Sequence, residues 1–312
     1  MTRFTKICTA LLMSMVLLAS LGCTAAPRVQ PATPDQVTDQ LGRLVAVKEV
    51  PQRIISLAPS NTEILFALGL GDRIVAVTKN ETYPPEAKQK DTIGGFSTPN
   101  IEKILSLSPD LVVAAGLHEK TVIPRLEENG IKVVALNSNT IDDTLKGIIL
   151  IGNVTGKSRE AATLVAQMNT RIKAVTDKTT KLPESGQPSV LYIVWSDPLK
   201  VAGSGTFHDD LIRKAGGRNV SGTLSGYPTV SLESVIQANP AVMIAGVGHG
   251  NGLDAPMLFA QNEPRLRDTS ARQLGLVYGA DADIAGRAGP RIVDALEEFA
   301  RFIHPELFGE KK

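Results

Sequence analysis

Asn100-Ile101-Glu102-Lys103-Ile104, followed by Pro109 and by Leu111-Val112-Val113-Ala114, returns as Ser231-Leu232-Glu233-Ser234-Val235, Pro240 and Val242-Met243-Ile244-Ala245. The offset is 131 residues throughout, with no gap. Each copy carries an aromatic six residues ahead of its glutamate, Phe96 and Tyr227, and a histidine just past its apolar run, His118 and His249. Both copies read as a capped short helix, a turn at the proline and a buried strand. A solenoid repeats every few tens of residues, so two units this far apart predict a duplicated α/β lobe instead.

Outward from this repeat, strands alternate with helices, which predicts parallel sheets. Ile54-Ile55-Ser56-Leu57 is a β-branched run between Pro51 and Pro59. Ser60 stands three residues before Glu63, which predicts a capping box opening a helix over Asn61 to Leu68, closed by Gly69 or Gly71. Strands follow over 74–77, 111–115 and 132–136, with helices over 119–129 and from Ile141. A long helix is predicted from Ser158 to Thr179, and a second α/β series starts at Val190. The domains are then 51–155 (N-terminal lobe), 156–182 (bridging helix) and 183–312 (C-terminal lobe). Ligands of open α/β sheets bind beyond the carboxyl ends of the strands, so two facing lobes predict one shared cleft, lined by the repeated aromatics and histidines.

At the start of the chain, Arg3 and Lys6 precede an apolar stretch from Ile7 to Leu21, too short for a membrane span and ordered like a secretory signal over 1–22. Ser20-Leu21-Gly22-Cys23 resembles a bacterial lipobox, which predicts lipidation at Cys23 and an exported, membrane-anchored lipoprotein, periplasmic or on the outer face of the cytoplasmic membrane. Residues 23–50, with Pro27, Pro31 and Pro34, read as a tether. The two cysteines, Cys8 and Cys23, leave the mature domain no thiol for disulfides, metal sites or catalysis. A net charge of +1 gives no footprint for nucleic acid.

The run Arg53 to Glu63 with Gly69 and Gly71, the segment Pro99 to Val112, and Gly205, Gly216-Gly217, Val230 to Glu233 and Pro240 resemble ABC-importer periplasmic binding proteins of the cobalamin and ferric siderophore type. The resemblance covers nearly all of the mature chain. It implies two Rossmann-like lobes bridged by a single long helix, little hinge motion, and a permease dimer with a cytoplasmic ATPase as partner. It also implies that Glu102 and Glu233, one per lobe, face arginines of that permease. Thr82-Tyr83-Pro84-Pro85-Glu86-Ala87 is most similar to the cobalamin-binding branch, whose cleft aromatics fall on Phe96 and Tyr227, while a further one falls on Ala115. Arg287-Ala288-Gly289-Pro290-Arg291-Ile292 is similar to it too, with Arg287 near the cleft.

The expectation is therefore a solute-binding lipoprotein, not an enzyme, that carries a cobalamin-type corrinoid as cargo and holds no cofactor. A ferric siderophore or haem is the alternative ligand. The candidate ligand-binding residues are Tyr83, Phe96, His118, Trp195, Tyr227, His249 and Arg287, with His118 or His249 as a possible axial ligand to cobalt or iron. His208, opening a helix with Asp209 and Asp210, reads as a cap or surface residue. Other classes lack their motifs. Gly156-Lys157-Ser158 has Ile151 where a phosphate loop needs glycine, Asn251 replaces the third glycine of a dinucleotide fingerprint, and Ser204 in Gly203-Ser204-Gly205 is not a hydrolase elbow.

Overall fold

The computed structural model describes residues 35–248 and 254–309. The chain divides into two units, Met1–Pro31 and Ala32–Lys312. The first lies outside the described residues, with the expected signal and Cys23, and the second carries the whole of the fold described.

The first elements of this second unit correct the expected 23–50 tether over its described part, 35–50. Strands β1 (Gln36–Thr38) and β2 (Leu44–Ala46) pair as an antiparallel hairpin. Asp39 at its turn is buried, and its carboxylate accepts hydrogen bonds from Leu41 N, Arg43 N and Ala135 N. Gln40 exchanges backbone and side-chain bonds with Ala135 and Asn137, so this segment is fastened to a lobe.

The first lobe holds β3 (Ile54–Ser56), β4 (Ile74–Val77), β5 (Asp91–Thr92), β6 (Leu111–Ala115) and β7 (Val133–Leu136), all parallel, in the order β5-β4-β3-β6-β7. The second holds β8 (Ser189–Ser196), β9 (Leu199–Val201), β10 (Arg218–Asn219), β11 (Val242–Val247) and β12 (Val277–Asp281). Its parallel order is β10-β8-β11-β12, and β9 pairs antiparallel to β8. The duplicated strands hold equivalent places. β6 lies between β3 and β7, with Ile54 opposite Leu111, and β11 lies between β8 and β12, with Val190 opposite Val242. Ser108 and Asn239 are the non-glycine residues in left-handed backbone among the described residues, and they stand at the repeat offset before Pro109 and Pro240.

Helix α1 (Pro59–Ala67) departs from its expected start. Ala58 is the N-cap and its methyl cannot accept a hydrogen bond, so no side chain caps the helix, and Glu63 is held by Arg291 instead. Helices α2 (Ile101–Ser106) and α7 (Leu232–Ala238) are capped by Asn100 and Ser231, which accept from Lys103 N and Ser234 N. Helix α3 (Ile123–Glu128) is shorter than expected, since the chain runs from a 3-10 turn over 116–118 through further turns over 119–122 before the helix begins. Gly156, in left-handed backbone, ends α4 (Ile141–Thr155) and starts the turn into α5 (Ser158–Thr179). The second lobe adds α6 (Phe207–Lys214), α8 (Ala255–Asn262) and α9 (Ile292–Ile303).

Helix α5 is the single long helix joining two Rossmann-like lobes. One hydrophobic core takes Ile54 and Leu111 of the first sheet, Val190 and Ile244 of the second, and Met168 and Val175 of α5 together. Arg171 of α5 also binds Asp294 and Glu297 of α9 at 2.7–2.8 Å. Two smaller cores, around Ile55 and around Leu191, each belong to one lobe.

Candidate functional site

Every strand of a parallel sheet delivers its following loop to the same edge. In the first lobe those loops are 58–61 after β3, 79–82 after β4, 115–117 after β6 and 136–139 after β7. With Phe96 they form one wall of a cleft of about 680 Å³. Phe207, Tyr227, Gly248, Asp283 and 286–288 of the second lobe form the other. The cleft lies between the two lobes.

Phe96 and Tyr227 face this one cleft from opposite lobes, as the repeat predicts. Tyr227 is 48% exposed, its hydroxyl lies 3.3 Å from His208 Nδ1, and the rings meet edge-on. Its pKa is raised by burial. His208 is neither cap nor surface. Thr206 caps α6, and His208 is buried against Tyr192 with its pKa pushed down to about 3, so it supports Tyr227 as a neutral ring.

Arg287 reaches across the cleft. Its guanidinium donates to Thr82 Oγ1 at 2.6 Å and to Asp283 at 2.7 Å. A second tie lies beside it, where Arg291 donates to both oxygens of Glu63 at 2.6 and 3.0 Å. Glu63 is buried, which pushes its carboxyl pKa up while the Arg291 hydrogen bonds pull it back. A Cβ at Gly289 would come within 2.9 Å of Glu63 Oε2, so a side chain here would press on the carboxylate that Arg291 holds. These two arginines join second-lobe residues directly to the first lobe.

Other expected residues fall elsewhere. Tyr83 is outside the cleft: its ring lies 4.1 Å under the Arg291 guanidinium, in a separate hollow of about 330 Å³ with Glu63 and Pro290. His118 is not exposed to the cleft. Nδ1 accepts from Ala115 N at 3.0 Å and Nε2 donates to the Phe96 carbonyl at 2.7 Å, so both ring nitrogens are used and no lone pair is left for a metal. Burial lowers its pKa. The residue holds Phe96 in place instead. Trp195, 41% exposed at the carboxyl end of β8, donates to the Asp197 carbonyl and is not among the cleft-lining residues. His249 lies outside the described residues. Glu102 and Glu233 are exposed in the first turns of α2 and α7, 3.3 Å from Arg125 and 3.7 Å from Arg265.

The sequence reading missed most of the polar lining, including Ser60, Lys79, Asn80, Glu81 and Asp283, and it missed Phe207. Their shared signal was position, within a few residues of a strand's carboxyl end. Glu81 is nearly buried; Thr78 Oγ1 donates to its Oε1 at 2.7 Å, and its Oε2 has no partner. Burial raises its pKa. Among the described residues no group of three or more His, Cys, Asp or Glu could hold a metal, and no helix is long and apolar enough to cross a membrane.

A model described as periplasmic binding protein matches residues 54–284. An ABC transporter substrate-binding lipoprotein of Bacillus subtilis is 31% identical, covering 96% of this chain and 97% of its own length. A cobalamin-binding protein of Halobacterium salinarum is also 31% identical, over 85% of this chain and 73% of its own. The solved structure of a periplasmic haem-binding protein from Roseiflexus, in apo form, shares 28% identity at a TM-score of 0.72, over 82% of this chain and 99% of that one.

Proposed function

The chain belongs to the periplasmic binding protein family and is the substrate-binding protein of an ABC transporter of the cobalamin, haem and siderophore type, and from that premise we propose that its inter-lobe cleft carries a cobalamin-type corrinoid. The observation that carries this reading is the aromatic pair. Phe96 and Tyr227 approach one cleft from opposite lobes, and Phe207 adds a third ring on the second-lobe side. A large flat ligand gains most from such apolar faces, with a few polar groups to select it. The corrinoid is cargo, bound and released unchanged, so no residue is given a catalytic role.

The ligand would pass to a permease dimer driven by a cytoplasmic ATPase. Glu102 and Glu233 sit at equivalent places in the two lobes and fit a partner with twofold symmetry. A lipid on Cys23 would hold the protein at the membrane from which the permease works. Haem is the second reading, favoured by the likeness to the haem-binding structure. Engagement of both His118 nitrogens removes one axial ligand from that reading.

Isothermal titration of the purified protein with cyanocobalamin, haemin and a ferric siderophore tests the assignment. Tight binding is expected for cyanocobalamin alone. Binding of haemin or the siderophore, with no heat from cyanocobalamin, would overturn it.

A further inference from the structure

Four asparagines line the cleft, Asn61, Asn80, Asn137 and Asn139, and they divide into two kinds. Two are spent on the fold. Asn61 Nδ2 donates to the Val113 and Ala114 carbonyls at 3.2 and 2.9 Å, and Asn80 Oδ1 accepts from Phe96 N at 2.9 Å. The other two stand together in the loop after β7, with Ser138 between them. Asn137 and Asn139 are exposed, and neither carboxamide has a hydrogen-bond partner among the described residues.

The loop that carries these free carboxamides is nonetheless fastened. Gln40, at the turn of the β1-β2 hairpin, accepts through Oε1 from Asn137 N at 2.8 Å and from Ser138 Oγ at 3.3 Å. Its Nε2 donates to the Asp143 carbonyl at 2.7 Å, and its N–H donates to the Ala135 carbonyl at 3.1 Å. Asn139 N donates to the Asp143 carboxylate at 3.4 Å. On the other side, the Asn137 carboxamide lies against Gly116 of the neighbouring cleft loop. A Cβ there would collide with its Oδ1 and stand 2.8 Å from its Cγ, so a side chain at 116 would push the carboxamide away.

Polar groups held in place without a protein partner are the ones a cleft has available to select its ligand. A carboxamide presents an N–H donor beside a carbonyl acceptor, so its full complement is another carboxamide, through two N–H···O bonds. A corrinoid carries amide arms around its ring. A carboxylate satisfies the N–H but sets its oxygen against the asparagine carbonyl, which stays unpaired. The propionates of haem are of that kind.

We propose that the loop 137–139 reads the peripheral amides of the corrinoid, with Asn137 as the contact and Gln40 as the residue that positions it, so that the protein prefers an amide-bearing ligand to one bearing a carboxylate in the same place. This rests on the corrinoid reading above and adds the residues that set the preference.

The test is titration of the wild type, Asn137→Leu, Gln40→Leu and Gln40→Glu with cyanocobalamin and its monocarboxylic acids, in each of which one propionamide arm has become a carboxylate. Each variant is first shown folded by circular dichroism. The wild type is expected to bind cyanocobalamin about tenfold more tightly than at least one of the acids, as the loss of one hydrogen bond to a fixed partner provides. Asn137→Leu is expected to weaken cyanocobalamin about tenfold and to erase that preference. Gln40→Leu is expected to erase it too, whereas Gln40→Glu keeps an accepting oxygen for Asn137 N and is expected to retain it, which a merely structural role would not produce. Equal wild-type affinity for cyanocobalamin and every acid, or an unchanged preference in Asn137→Leu, overturns the amide-reading loop and leaves the corrinoid reading standing. A preference kept in Gln40→Leu, or lost in Gln40→Glu, overturns the part given to Gln40. No corrinoid bound by the wild type overturns both readings.

Discussion

Replacing Glu63 with Ala is expected to loosen the joint between the lobes. The Glu63 side chain is 2% exposed and takes both short hydrogen bonds from Arg291, whose own side chain keeps 21% exposure. Removing one partner of a buried pair costs about 3–5 kcal/mol, chiefly because the other charge is stranded. Arg291 keeps some water and the Tyr83 ring face 4.1 Å away, so the cost here falls below that range, at about 2–3 kcal/mol. For a chain of this size that lowers the melting temperature by roughly 4–9 °C. Thermal unfolding at pH 7, followed by circular dichroism, reads the shift. A double-mutant cycle with Arg291→Met isolates the coupling, expected at about 1.5–3 kcal/mol. A Glu63→Ala loss below about 0.5 kcal/mol, with coupling near zero, would refute the claim that this pair ties the lobes.

Three further outcomes are expected. The pKa of Glu81 is raised in the folded state, so its protonation favours folding below about pH 4.5 and that contribution is lost as pH rises through the folded value. Glu81→Gln is therefore expected to stabilise the protein by about 1–2 kcal/mol at pH 7 and progressively less towards pH 4, read from a pH series of urea melts. His118→Ala leaves Ala115 N and the Phe96 carbonyl without partners, which is expected to cost about 2–4 kcal/mol of stability, while the visible spectrum of bound aquocobalamin stays unchanged. Exchanging Glu102 and Glu233 for Arg together is expected to abolish transport in an uptake assay with corrinoid affinity intact; normal transport would remove their docking role.

The duplication was legible because it is written twice. The same helix cap, proline, strand and aromatic recur at one offset, and the fold places both copies identically within their sheets. Phe96 and Tyr227 were found through that repetition. A repeat cannot show which way a loop residue turns. His118 follows its strand within three residues, as a cleft residue would, but a 3-10 turn folds it inward onto Ala115 and Phe96. Ser60 and Glu63 have capping-box spacing, yet Glu63 is claimed by Arg291, 228 positions away, a partner no local pattern can reveal. Tyr83 was misplaced for the same reason, since Arg291 covers its ring. Asp39 and Gln40, in a proline-rich lead-in, gave no sign that their side chains would lock onto β7. Lys79 and Glu81 were passed over because single polar residues after a strand look like ordinary loop.

The central claim is that Phe96 and Tyr227 hold a corrinoid between the lobes. Its most direct test is titration of cyanocobalamin into the wild type and into the folded double variant Phe96→Ala/Tyr227→Ala, monitored by calorimetry. Tight wild-type binding is predicted, with a loss of about a hundredfold in the variant, as expected for two aromatic anchors. Equal affinities in the two proteins, or no binding by the wild type, would contradict it.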